Sequence, residues 1–226
     1  MAPKIRDLYS KLKRLGIDRK YVQSAILPDW WDDSLYANES NRLTAQLGVS
    51  RFLGISLRDL AGPLDAFASQ QNARLKRARN ADLDEVAGAV AAAMHAARLV
   101  ASLMAEHLPF TGVRPALDIR QQLLARPECM APDLTHLVDF CWRHGIGVVH
   151  LTSLPKGSKK IAGLATFVGT RPVVVLCSGR DSPAWLAFHL AHELGHIMCA
   201  HVRSGDQPLV DVEIGNVDDE RQEQEA

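Results

Sequence analysis

The chain has 226 residues, 47% of them hydrophobic and 23% charged, the proportions of an ordinary globular protein. No run of 18 apolar residues occurs, so no membrane span is expected. The start Met1-Ala2-Pro3-Lys4-Ile5-Arg6 has no apolar stretch behind it, which argues against a secretory leader and makes a cytoplasmic home the expectation. Four scattered cysteines (Cys129, Cys141, Cys177, Cys199) include no Cys-x-x-Cys pair, so neither a disulfide framework nor a zinc knuckle is expected. Net charge is zero but unevenly placed. Residues 1–80 hold 14 Lys and Arg against 8 Asp and Glu, and residues 81–226 hold 12 against 18. A basic front half favours approach to nucleic acid; a solvated helix surface has the same composition.

The first 60 residues read as short helices. Ile5, Leu8, Leu12 and Leu15 recur at helical spacing, with Gly16 as a stop. Asp18 caps a second helix running toward Leu27, and Pro28 ends it ahead of the pair Trp30-Trp31. Leu43, Leu47 and Phe52 suggest one or two more, and Gly62-Pro63 closes the section. Residues 64–106 are helical in pattern with a break near Asn80. An Ala-rich piece starts at Asp82 and places Val86, Val90, Met94 and Leu99 on one side; Gly88 weakens it slightly, and Pro109 terminates it. This pair reads as a helical connector or hairpin.

From about residue 112 strands enter. Ile119 to Leu124 reads as a short helix, and Asp133 caps a clearer one reaching His144, stopped by Gly145. Gly147 to Leu151, Ile161 to Val168 and Pro172 to Cys177 read as strands, the last two a hairpin turned by Gly169-Thr170-Arg171. Ser182 is then an N-cap and Pro183 the first residue of one more helix. The class is α+β, with segments 1–62, 63–110 and 111–226 expected as domains.

That last helix carries His192-Glu193-Leu194-Gly195-His196. A spacing of four puts both imidazoles on one face, one turn apart, where they can share one tetrahedral zinc. Glu193 lies about 100° around the helix, at the edge of such a site, where a general base can take a proton from a metal-activated water. His and Glu each supply 9 of 226 residues, so the pattern arises by chance in roughly 1–2% of chains of this length. Leu186, Leu190, Leu194 and Ile197 supply a buried side for the helix.

A catalytic zinc takes a third protein ligand and keeps one open position. An extended motif with Gly at 199 and His at 202 fails, because Cys199 and Val202 stand there. His201, nine residues after His192, is expected to face away on a continuous helix. His189 and Cys199 share the ligand face but lie about 10 Å from the farther histidine, which makes them neighbours rather than ligands. Candidates remain among Glu213, Asp218, Asp219, Glu220, Glu223 and Glu225, an acidic stretch that would otherwise read as solvated.

The segments Leu190-Ala191-His192-Glu193-Leu194-Gly195-His196 and Glu223-Gln224-Glu225-Ala226 together resemble the ImmA/IrrE metallopeptidases. That family looks like a minimal gluzincin with His-Glu-x-x-His on one helix and a Glu-x-x-Ala-Asn/Asp segment on the next. The resemblance covers about residues 130–226. It implies a zincin-like domain with a small mixed sheet, Zn2+ as cofactor, His192, His196 and Glu223 as ligands, and Glu193 as the catalytic base. The match is cut short at Ala226, so the domain is expected to be incomplete there and Glu220 and Glu225 stay open as alternatives to Glu223. Leu27-Pro28-Asp29-Trp30-Trp31-Asp32-Asp33 is similar to a segment of long members of the family that carry an N-terminal helix-turn-helix-like module, which would occupy residues 1–62 ahead of a helical connector at 63–110.

The resemblance implies an endopeptidase that cleaves a helix-turn-helix repressor to switch on stress, phage or mobile-element genes. Residues 1–80 then offer a DNA contact, with Arg74 to Arg79 as one basic run. One strand of the 161–177 hairpin is expected to hold substrate by strand addition, and His150 and His189 are candidates to stabilise an oxyanion. Two rival readings are a DNA-associated regulator or toxin–antitoxin component with a structural or degenerate zinc site, and a helical interaction protein whose motif is accidental.

Overall fold

The structure, a computed structural model, describes residues 4–64, 74–75, 83–104, 109–125, 131–158, 160–177, 182–206 and 208–212. The chain is α+β and divides into two compact units. Unit 1 comprises Met1–Asn72, Ala81–His95 and Leu154–Lys160; unit 2 comprises Ala73–Asn80, Ala96–Ser153 and Ile161–Ala226.

Unit 1 is helical. Helix α1 (Ile5–Arg14) buries Leu8 and Leu12 and stops at Gly16, whose φ of 75° suits the absence of a Cβ. The Asp18 carboxylate accepts from the Tyr21 amide at 3.0 Å and starts α2 (Arg19–Tyr21), which continues as a π turn over Val22–Ile26. Leu27 is extended ahead of Pro28, as a residue before proline should be. A 3-10 turn (Asp33–Ala37) precedes α3 (Glu39–Leu53) and α4 (Leu57–Ala61), capped by Asp32, Asn38 and Ser56 in turn. The one or two further helices expected here are these two; the first is longer than expected at 15 residues, and its buried face is Ala45, Val49, Phe52 and Leu53 while Leu43 is exposed. Trp30 is exposed, whereas Trp31 donates from Nε1 to Asp33, which also accepts from Tyr9 and Arg19.

Helix α5 (Leu83–Leu103) begins in unit 1 and supplies its Ala-rich face, with Val86, Ala89, Val90, Ala91 and Ala93 buried. Gly88 is there for close approach rather than as a flaw. A Cβ at Gly88 would stand 2.6 Å from the Leu15 carbonyl oxygen. Leu99 is exposed, against expectation. Glu85–Leu103 also has the length and mean hydropathy (1.5) of a membrane span, which the composition had argued against; half of it is buried inside the protein, as in the core helix of a folded unit.

Unit 2 holds the sheet and the motif helix. Helices α6 (Ala116–Leu124) and α7 (Leu134–Arg143) precede strand β2 (Gly147–His150). Strands β3 (Ile161–Val168) and β4 (Arg171–Leu176) form the expected hairpin, turned at Gly169 with φ 61°. Helix α8 is Pro183–Met198, and β5 is Leu209–Val212. With the two-residue β1 (Arg74–Leu75) the sheet order is β1-β5-β3-β4-β2. It is mixed: β2 is parallel to β4 and β1 to β5, while β3 is antiparallel to both β4 and β5. Over Gly163–Ala165 both edges of β3 are paired, and β4 lies between β3 and β2. The hairpin therefore offers no free edge there for strand addition, and that expectation is withdrawn for this stretch.

One face of the sheet (Ala165, Val174, Leu176, Leu209) packs against Leu186, Leu190, Leu194 and Ile197 of α8 and against Leu137, Phe140 and Cys141 of α7. The heptad-like spacing of those α8 leucines made the buried side readable in advance. That packing fixes the rotation of α8 about its axis, and so decides where its histidines point.

Candidate metal centre

Helix α8 starts as the sequence indicated, with Ser182 at the cap position and Pro183 at the first turn. The cap is backbone geometry only, since the Ser182 side chain makes no capping hydrogen bond. From this helix His192 and His196 converge. Their ring centroids are 4.6 Å apart at an angle of 81°, and their Nε2 atoms are 3.2 Å apart. His196 is fully buried and His192 is mostly covered.

A carboxylate meets them from the sheet. Asp211 on β5 brings Oδ2 to 2.7 Å from Nε2 of His192. One donor atom each from His192, His196 and Asp211 lies within 4.8 Å of the others, so the group can hold a metal ion. The donor chemistry fits: two imidazole nitrogens and one carboxylate oxygen make three protein ligands and leave a fourth position for water or substrate. Glu213, Asp218, Asp219, Glu220, Glu223 and Glu225 lie outside the described residues. Among the described residues Asp211 is the acid that reaches both histidines.

Asp211 went unnoticed in the sequence because β5 is only four residues long. Its signal is nevertheless there. In Leu209-Val210-Asp211-Val212 alternate residues share a face, so Asp211 shares the α8-facing side with the buried Leu209. An acid at an inward strand position needs a partner.

Glu193 is fully buried and occupies a notch in β3. A Cβ added to Gly163 would collide with its Oε1 and would stand 2.9 Å from its Cδ. Gly163 is also the register partner of Asp211, next to a bulge between Ile161 and Gly163. The carboxylate of Glu193 thus lies over the strand pair that delivers Asp211. Cys177 is beside it: burial pushes that thiol up to about 12, and the charge of Glu193 adds to the effect.

The chain matches no protein-family model, no curated protein and no solved structure.

His201 does not face away. Helix α8 ends at Met198, and Ala200 takes φ 55°. The chain folds back, and Nδ1 of His201 comes to 3.0 Å from Nδ1 of His196. The expectation extended an ideal helix three residues past its end. His189 packs its ring against Trp185 at 4.8 Å and Phe188 at 5.5 Å, and His150 ends β2 in register with Leu176. Neither belongs to the metal-ligand group, nor does Cys199, the C-cap of α8.

Proposed function

We propose that this chain is a zinc-dependent endopeptidase of the ImmA/IrrE kind, acting in the cytoplasm on a helix-turn-helix repressor whose removal switches on stress, phage or mobile-element genes. The observation that carries the reading is the convergence of His192, His196 and Asp211 beside a buried Glu193. The family resemblance itself rests on the motif residues quoted above. His192, His196 and a carboxylate hold the ion; Asp211 is in place for this, and Glu223 is the ligand the resemblance implies. Zinc in such a site supplies Lewis acidity and brings the pKa of a water down to near neutrality. Glu193 takes the proton of the attacking water and passes it to the departing amine. Its burial keeps bulk solvent from competing for that proton.

The test is Glu193→Gln, with zinc content and repressor cleavage both measured. The variant should keep stoichiometric zinc and lose cleavage by about 10²–10⁴-fold, the usual contribution of a positioned base. Cleavage at the wild-type rate would overturn the peptidase reading. The basic composition of residues 1–80 favours a second reading, a DNA-associated regulator with a structural zinc. In that case the same variant leaves regulation unchanged.

A further inference from the structure

The turn that follows α8 does more than end a helix. The Ala200 amide donates to the Ile197 carbonyl at 3.1 Å, and the His201 amide donates to the His196 carbonyl at 2.9 Å. This pair of bonds is a Schellman closure, with Ala200 at the left-handed position that usually carries glycine. Among the described residues Ala200 is the non-glycine residue with positive φ, a conformation that a Cβ disfavours. The turn is held from both sides. Val202 is buried in the core against α8, and the Ser204 hydroxyl donates to the Gly169 carbonyl at 2.7 Å. Its result is to set the His201 ring against the far side of His196, nitrogen to nitrogen.

The two nitrogens of His196 therefore have separate tasks. Nε2 faces His192, and Nδ1 faces His201. A neutral imidazole carries one proton, and only the other nitrogen can bind a metal. We propose that His201 is a positioning residue: its Nδ1 accepts the Nδ1 proton of His196, which fixes the tautomer whose Nε2 lone pair points into the metal centre. His201 then carries its own proton on Nε2. Such partners orient a ligand ring and raise its basicity, and losing one weakens metal binding by about 10–100-fold. The inference rests on reading His192, His196 and Asp211 as metal ligands.

Two measurements on the full chain decide it. The first is zinc affinity by competition with a chromophoric chelator, for wild type, His201→Ala and His201→Asn. His201→Ala should bind about 10–100-fold more weakly. His201→Asn should recover most of that loss, because its Oδ1 can stand where the imidazole Nδ1 stands. The second is the tautomer of His196 in the zinc-free protein, read from two-bond nitrogen–proton correlations. Wild type should show the proton on Nδ1. His196 protonated on Nε2 in the wild type, or His201→Ala binding zinc as tightly as wild type, would overturn the inference. If the wild type binds no zinc at all, the peptidase reading falls, while the tautomer still decides the pairing. Should His201→Ala fail to fold, His201→Asn and the wild-type tautomer give the answer.

Discussion

A single missing side chain makes room for the carboxylate of Glu193. Glu193 is wholly buried, and the volume its carboxylate fills is that of the Cβ which Gly163 lacks. The nearest atoms that such a methyl group meets all belong to the Glu193 side chain, and β3 is held at Gly163 by β4 on one edge and β5 on the other, so Glu193 is the first group to give way. Gly163→Ala must therefore push Glu193 out of its notch or separate β3 from α8. Overpacking of this kind costs about 1–3 kcal/mol, and it should cut cleavage sharply while His192 and His196 still bind zinc. Chemical denaturation and zinc titration on the same sample check this. Unchanged stability together with full activity would mean that Glu193 is not confined by β3.

Most elements were readable because local signals and the apolar pattern agreed. Asp18, Asp133 and Pro183 stand where α2, α7 and α8 begin, and the β3–β4 hairpin turns at Gly169 as its residues suggest. The two histidines of α8 were legible for the same reason, since a four-residue spacing on a capped helix leaves little freedom. Asp211 and His201 were not. Each depends on where a short element starts or stops, and boundaries are set by tertiary packing more than by composition. Ala200 gives no sequence warning of a left-handed turn, and a four-residue strand carries almost no periodicity.

Helix α7 has a pH-sensitive end of its own. His144 is its C-cap, stacked on Phe140 with centroids 4.2 Å apart, and its buried Nδ1 finds no hydrogen-bond partner among the described residues. Burial lowers its pKa below the usual 6.5, and the nearby Arg114 lowers it further. The unfolded chain therefore binds this proton more readily than the folded one. Its contribution to stability is complete above pH 6.5 and is lost as pH falls from there toward the folded value. Denaturation between about pH 7.5 and about pH 5.5, a unit either side of a free imidazole, should show stability declining in wild type and declining less in His144→Gln. Equal slopes would remove His144 as the cause.

At the scale of the whole molecule, the candidate ligands join two successive elements of different kind that lie in one unit. His192 and His196 come from α8 and Asp211 from β5, all within unit 2. A metal ion at that point ties a helix to a strand. Zinc at 100 times its dissociation constant should stabilise the folded state by about 2.7 kcal/mol. The gain should appear where the tie is made. Amide hydrogen exchange should slow in α8, β3 and β5 on adding zinc, return on chelation, and stay unchanged in α1 and α3, which belong to unit 1. Asp211→Ala and Glu223→Ala separate the two candidate third ligands under the same assay. If Asp211 completes the set, its loss abolishes the zinc-dependent protection while Glu223→Ala retains it. The reverse result would assign the third position to Glu223 and leave Asp211 as the acid that holds His192 in the metal-free protein. Zinc that slowed exchange in neither α8 nor β5 would place any bound metal elsewhere on the chain.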